Sequence, residues 1–283
     1  WLSLDAAALR DKLRFYGDKQ FMYLARHQTP EFARQVLREN FPGVRGAREY
    51  RRYYPAGEVT AQLLGLTNVD GHGIAGVELA FEDWLQGVPG KKRFIKDLHG
   101  DAVRDFGVIE EPRPGKALAL SLDLRLQYAQ HRELRRAMKE TGAAAGSAIT
   151  LDAWTGEVLA VSNYPVFNPN SREALDFSGA RNRALTDAYE PGSTIKTLTL
   201  VAALESGQFH IDSIVDTAPG RIRVGSKMLH DPRDYGEISV SKVIEKSSQV
   251  GGTRLAQAVG HEAILDVLYR FGLGESTGTG FPG

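Results

Sequence analysis

The chain has no cysteine among its 283 residues. That excludes disulfides, thiolate-ligated zinc and cysteine nucleophiles, although it does not fix the compartment. Nor is there a net charge, because Lys+Arg 35 and Asp+Glu 35 cancel. No global field therefore recruits nucleic acid or an anionic membrane. No apolar run approaches the roughly 18 residues of a spanning helix, and nothing at Trp1 has the pattern of a signal peptide. Internal repeats and low-complexity segments are also missing. What is present is 42% hydrophobic and 25% charged, the make-up of an ordinary globular protein with room for one large or two ordinary domains.

Local punctuation divides the chain. Thr29-Pro30-Glu31 is a helix start, Phe32 to Asn40 its body, and Phe41-Pro42-Gly43 its stop. Arg45 to Tyr54, basic and aromatic, reads as a solvated extended edge, and Val77 to Leu85 as a short amphipathic helix. Gly87-Val88-Pro89-Gly90 turns into a basic strand, Lys91 to Asp97. Pro112-Arg113-Pro114-Gly115 is the best domain boundary, which predicts domains at 1–113 and 114–283. Beyond it a long helix is expected from Asp123 to Glu140. Two apolar strands, Ser147 to Asp152 and Glu157 to Ser162, are joined as a hairpin by Ala153-Trp154-Thr155-Gly156. Short strands follow near Arg221–Val224 and Lys227–His230, with three helical runs up to Phe271.

Several motifs carry less than they promise. Gly71-His72-Gly73-Ile74-Ala75-Gly76 is a literal G-x-G-x-x-G, with Asp97 in place of the ribose-binding acid. The preceding run is short, the following helix is barely two turns, and no second βαβ unit follows, so a glycine-rich turn is the better reading. His261-Glu262 lacks a second histidine four positions on, so there is no zinc-protease motif. His230-Asp231 is better read as a loop hydrogen bond than as a general-base pair. The seven histidines are dispersed, and no metal or other cofactor is expected.

Two other segments point to chemistry. Ser193-Thr194-Ile195-Lys196 follows Glu190-Pro191-Gly192 and opens an apolar helical run to Leu204, with Gly207 as its stop. Residues at i and i+3 share one helix face, so Ser193 Oγ and Lys196 Nζ can meet. A serine needs a neighbouring base, and a lysine serves if burial and the helix N-terminus lower its pKa. Alone, the four residues are better described by a capping serine and a solvated lysine. Ser247-Ser248-Gln249 lies between two helical runs, Ile238–Lys246 and Val250–Val259, and is suited to sit over a cleft, although a plain loop with capping serines has the same look.

Taken in order and spacing, these segments resemble the class B penicillin-binding proteins, and within them the division-specific branch. Arg181-Asn182-Arg183-Ala184, Asp187 and Glu190-Pro191-Gly192-Ser193 with Lys196 match the family's nucleophile signature. Tyr164-Pro165-Val166-Phe167-Asn168-Pro169-Asn170 matches the loop before it, and Lys246-Ser247-Ser248 with Val250-Gly251 the second motif. Tyr53-Tyr54-Pro55, Gly57-Glu58-Val59 and Gly73-Ile74-Ala75-Gly76-Val77-Glu78 resemble its N-terminal pedestal. Two departures stand out. The second motif ends in Gln249 where the family has asparagine, an amide kept but one methylene further out. The third motif, Lys-Thr/Ser-Gly, does not occur after Ser247.

The resemblance implies an α+β fold: a mixed pedestal domain and a transpeptidase domain like the serine β-lactamases, with helices flanking an antiparallel sheet that is incomplete in this chain. It implies a serine-type D,D-transpeptidase of peptidoglycan synthesis. Ser193, Lys196 and Ser247 would be catalytic, with Gln249 and Ser248 binding substrate. The absent third motif implies an inactive or weak catalyst. Implied partners are D-Ala-D-Ala stem peptides, β-lactams, and the septal glycosyltransferase with other division proteins, but no nucleic acid. The implied location is the periplasmic face of the bacterial inner membrane, with an anchor absent from this chain. The rivals are a serine β-lactamase and a β-lactam-sensing or scaffolding domain.

Overall fold

In a computed structural model residues 5–19, 21–96, 102–171 and 179–281 are described. Several helices begin where short polar side chains accept from free N–H groups. Thr29 Oγ1 accepts from Phe32 N and Pro30 fills the first turn of α2 (Pro30–Arg38), which follows α1 (Ala6–Phe15). Three short helices come next, α3 (Ala61–Leu64), α4 (Gly76–Ala80) and α5 (Glu82–Leu85). The run Val77–Leu85 is thus two helices rather than one. The break is at Phe81, φ −118°. Glu82, opening α5, accepts from His72 Nδ1 and from Gly73 N at 2.7 Å, which draws that helix onto the neighbouring turn.

β1 (Lys91–Lys96) pairs antiparallel with β2 (Ala102–Glu110), a strand the sequence reading did not include. Asp97 lies outside the described residues. Pro112 to Gly115 packs back: Val88 and Arg113 exchange backbone hydrogen bonds of 2.8 and 2.9 Å, and Lys116 N donates to Trp84 O. α6 (Leu124–Thr141) is capped by Asp123, which accepts from Arg125 N and Leu126 N. β3 (Gly146–Leu151) and β4 (Val158–Tyr164) form the expected hairpin, and α7 (Arg183–Thr186) follows.

The chain divides into two compact units, one reaching Thr186 and the other comprising Asp187–Gly280. In the first, residues distant in sequence are tied by side chains. Asn170 accepts from Tyr54 N at 3.0 Å and donates to Tyr54 O at 2.9 Å. Tyr54, Ala61, Leu66 and Phe167 form a buried cluster. Arg45–Tyr54 is accordingly no sheet edge: its end is held by the Asn170 loop instead of a strand partner. The Tyr54 hydroxyl is pushed up to about 12, chiefly by burial. The glycine-rich segment is a turn, with Gly71 and Gly76 at φ 88° and 61°. A Cβ on Gly73 would lie 2.0 Å from Glu78 O, so that position serves close packing.

Gln127 joins α6 to β4 and is fully buried. Its Nε2 donates to Val59 O and Val161 O, both at 2.7 Å, and its Oε1 accepts from Val161 N at 2.8 Å. Gln127→Ala should cost about 2–4 kcal/mol, because both Val161 backbone groups are left buried without partners. Urea unfolding with an unchanged slope would measure it, and a loss under about 0.5 kcal/mol would contradict the account.

The second unit holds α8 (Lys196–Glu205), β5 (Ile214–Asp216), β6 (Arg221–Val224), β7 (Lys227–His230), β8 (Glu237–Ser239), α9 (Val240–Glu245), α10 (Gln249–Val259) and α11 (His261–Arg270). β5 pairs with β8 and β6 with β7, both antiparallel. Every sheet among the described residues is two-stranded, so the architecture is α+β with small, incomplete sheets. Ala203, Val215, Val240, Val243 and Leu255 make the core of this unit, with Leu200 and Phe209 against it.

Candidate active site

Ser193 lies in a 3-10 turn, Gly192–Ile195, directly before α8. The sequence pattern predicts an α-helix from Thr194; regular α geometry starts instead at Lys196 and ends at Glu205, with Gly207 at φ 69° closing it. Pro191 has no N–H and Gly192 sits at φ 61°, so the chain enters through a tightened turn. Ser193 is exposed and Lys196 half-buried.

Lys196 faces α10. Its Nζ donates to Ser247 O at 2.6 Å and to Ser247 Oγ at 3.1 Å. No hydrogen bond between Lys196 Nζ and Ser193 Oγ is formed among the described residues. The amine is turned toward the second motif, and such contacts often tighten only around substrate. Its stem passes Gly252, where an added Cβ would lie 3.8 Å from Lys196 Cδ. Burial lowers the Lys196 pKa from its ordinary value, and the negative charge of Asp231 opposes that shift.

The loop between α9 and α10 positions the second motif. Ser247 is at φ 51°, in the left-handed region, and is exposed. Its N–H bonds to Ile244 O and that of Ser248 to Val243 O. Ser248 is wholly buried and caps α10: its Oγ accepts from Gly251 N at 2.8 Å and donates to Asp231 Oδ2 at 2.6 Å. Its hydroxyl is therefore occupied inside the fold, which departs from the substrate-binding part expected of it. Gly251 permits that packing, since a Cβ there would lie 2.6 Å from Val243 Cγ2. Gln249 opens α10 with an exposed side chain. Ser193, Lys196, Ser247, Ser248 and Gln249 all belong to the second compact unit.

Asp231, read in the sequence as making a loop hydrogen bond, does so, but its place at the second motif is what the sequence did not show. His230-Asp231 is no general-base pair: Asp231 is buried and accepts from Ser248 Oγ, from Gln249 N at 2.5 Å and from Val250 N at 3.3 Å. An acid at a helix N-terminus is a general preference, but nothing in the sequence says which acid reaches that end. Among the described residues no cluster of His, Cys, Asp or Glu could hold a metal ion, and no helix is long and apolar enough to cross a membrane.

Residues 146–283 match the penicillin binding protein transpeptidase domain, and residues 9–120 the penicillin-binding protein dimerisation domain. The peptidoglycan D,D-transpeptidase FtsI of Escherichia coli K12 is 41% identical over 264 residues, covering 93% of this chain and 44% of that protein. A Pseudomonas aeruginosa protein named "Probable peptidoglycan D,D-transpeptidase PbpC" is 39% identical over 278 residues, or 98% of this chain and 49% of that one. The chain thus spans about half the length of these relatives. Penicillin-binding protein 3 of Mycobacterium tuberculosis, solved with ampicillin, superposes with a TM-score of 0.71 at 33% identity, over 82% of this chain and 48% of the other. Penicillin-binding protein 2X of Streptococcus thermophilus also gives 0.71, at 28% identity, over 89% and 40%.

Proposed function

Because the chain belongs to the class B penicillin-binding proteins, with a dimerisation and a transpeptidase domain, we propose that it carries the nucleophile and second motif of a peptidoglycan D,D-transpeptidase working at the division septum. The observation that supports this best is the pair of hydrogen bonds from Lys196 to Ser247, which sets an amine lowered in pKa, three residues after Ser193, against the second motif. Ser193 gives its proton to Lys196 and attacks the carbonyl between the last two D-alanines of a stem peptide. The Ser193 N–H supplies one donor to the oxyanion. Ser247, hydrogen-bonded to Lys196, relays the proton to the departing D-alanine. An amine of a neighbouring stem then attacks the ester, releases Ser193 and leaves a cross-link. A β-lactam enters by the same attack and stays because its ester hydrolyses slowly.

In this reading residues 1–113 form a pedestal presenting residues 114–283 to septal partners, a glycosyltransferase among them, on the periplasmic face of the inner membrane. The FtsI name of the Escherichia coli relative supports the division role. For a chain extended through a Lys-Thr/Ser-Gly strand, turnover of a D-Ala-D-Ala thioester with stoichiometric benzylpenicillin labelling is the expected outcome; residues 1–283 alone should be labelled far more slowly, with one oxyanion donor missing. Labelling without thioester turnover would indicate a sensor, and rapid nitrocefin hydrolysis a β-lactamase.

Gln249, exposed at the start of α10, would hold a substrate amide. Gln249→Asn should change β-lactam acylation by at most about tenfold, because the amide is kept and only its reach changes. Gln249→Ala should lose more. Equal rates for glutamine and alanine would show that this side chain does not face substrate.

A further inference from the structure

The site contains a buried carboxylate that the mechanism above does not use. Asp231 follows β7 and its N–H is tied to Gly220 O at 2.9 Å, so its backbone is anchored apart from the α9–α10 loop. Its side chain crosses to that loop and takes three donors there: Ser248 Oγ and the N–H groups of Gln249 and Val250. We propose that Asp231 is a positioning residue, whose carboxylate locks the Ser247 loop so that both Ser247 oxygens stand at Lys196. The inference rests on the reading of Lys196 as base and Ser193 as nucleophile.

The geometry forms a chain of fixed contacts. Asp231 holds Ser248 Oγ, and Ser248 Oγ holds Gly251 N. With Ser248 pinned on its C-terminal side, Ser247 is confined to φ 51°, where its carbonyl and hydroxyl both receive Lys196 Nζ. Left-handed backbone at a serine costs free energy and persists only where its surroundings hold it. Three hydrogen bonds to one buried anion provide such a hold. They also stabilise the α10 N-terminus, where a negative charge is favourable.

Asp231 reaches Lys196 electrostatically as well, acting against the effect of burial. Of the charged groups on α9, α10 and α11, which pack on α8, Lys242 and Lys246 pair with Glu245, Arg254 donates to Ala218 O, Arg270 pairs with Glu205 and Asp266, and His261 and Glu262, which open α11, are not among the causes of the Lys196 shift. Asp231 therefore does two separable things: its bonds set the place of Ser247, and its charge tunes the protonation of Lys196.

Asp231→Asn keeps an acceptor for the backbone N–H groups but removes the charge and strands the Ser248 hydroxyl proton. Acylation of Ser193 by benzylpenicillin, followed by intact mass across pH, should slow about tenfold or more. Its acid limb should move to lower pH, because loss of a nearby anion favours the neutral amine. The Lys196 amine, followed by NMR with lysine labelled at Cε, should titrate lower in step. Ser248→Ala keeps the charge and should slow acylation with the limb in place. An Asp231→Asn protein with wild-type rate and limb overturns the proposal, as does a slowed one whose Lys196 titration is unmoved, since that marks a structural effect alone. Should Asp231→Asn fail to fold, Ser248→Ala decides, and an undiminished rate there overturns it. These rates are read on a chain extended through a Lys-Thr/Ser-Gly strand; a wild type that is never acylated there refutes the assignment of Ser193 instead, and the Lys196 titration then tests Asp231 by itself.

Discussion

Ser193→Ala should abolish covalent labelling by benzylpenicillin and leave folding intact. Two serines compete for the role of nucleophile, because Lys196 Nζ hydrogen-bonds Ser247 Oγ at 3.1 Å and not Ser193 Oγ. The backbone decides between them. Ser193 lies at the entry to α8, where unpaired N–H groups and the positive end of the helix favour an alkoxide and the oxyanion formed from it. Ser247 lies past the end of α9, its N–H already given to Ile244 O and its two oxygens already given to Lys196. Since Ser193 is exposed and its side chain makes no hydrogen bond among the described residues, its loss should change stability by less than about 0.5 kcal/mol. Ser247→Ala should still become labelled, about 10²-fold more slowly, as fits a relay. Peptide mapping gives the answer: a label on Ser247 in the Ser193→Ala protein would reverse the two roles.

Much of this site is legible in the sequence because its parts are local. The helix α8 follows from Pro191-Gly192 and an apolar run, although its first turn, read as α-helical, is 3-10, and Ser248 as cap of α10 follows from a serine at a helix start. The short strands near Arg221–Val224 and Lys227–His230 are legible at their observed places, as β6 and β7, and the structure adds that they pair. What escaped depends on contacts between distant residues. β2 carries Asp105 and Gly107 within an ordinary strand, and only its pairing with β1 makes it one. The three-residue strands β5 and β8 are too short for any periodicity and exist through each other. The place of Asp231 at the second motif escaped for the same reason, since its partners lie 17 to 19 residues away. The split of Val77–Leu85 into two helices likewise depends on Glu82 reaching the Gly73 turn.

Lys196→Arg should lose acylation by at least about 10²-fold, the scale of a general base. The substitution keeps a positive charge and a donor for Ser247, so a purely structural cation would tolerate it. A base would not, because guanidinium stays protonated at every accessible pH. The wild-type pH profile supplies the second half of the argument. Burial places the Lys196 pKa below the usual lysine range, with Asp231 opposing. The reactive form is the neutral amine, so the acylation rate should rise with pH and level off where Lys196 has lost its proton, at a midpoint below the ordinary value of about 10.4. Below that midpoint the amine is charged, donates to both Ser247 oxygens as seen here, and has no lone pair for Ser193. Loosening the site, for instance by mild urea short of unfolding, should return the midpoint toward 10.4, since the shift comes from burial. Stopped-flow acylation of wild type and Lys196→Arg across pH measures both parts. An arginine protein acylated within tenfold of wild type, or a wild-type rate that is flat in pH, would remove Lys196 as the base and leave it as an anchor for the Ser247 loop.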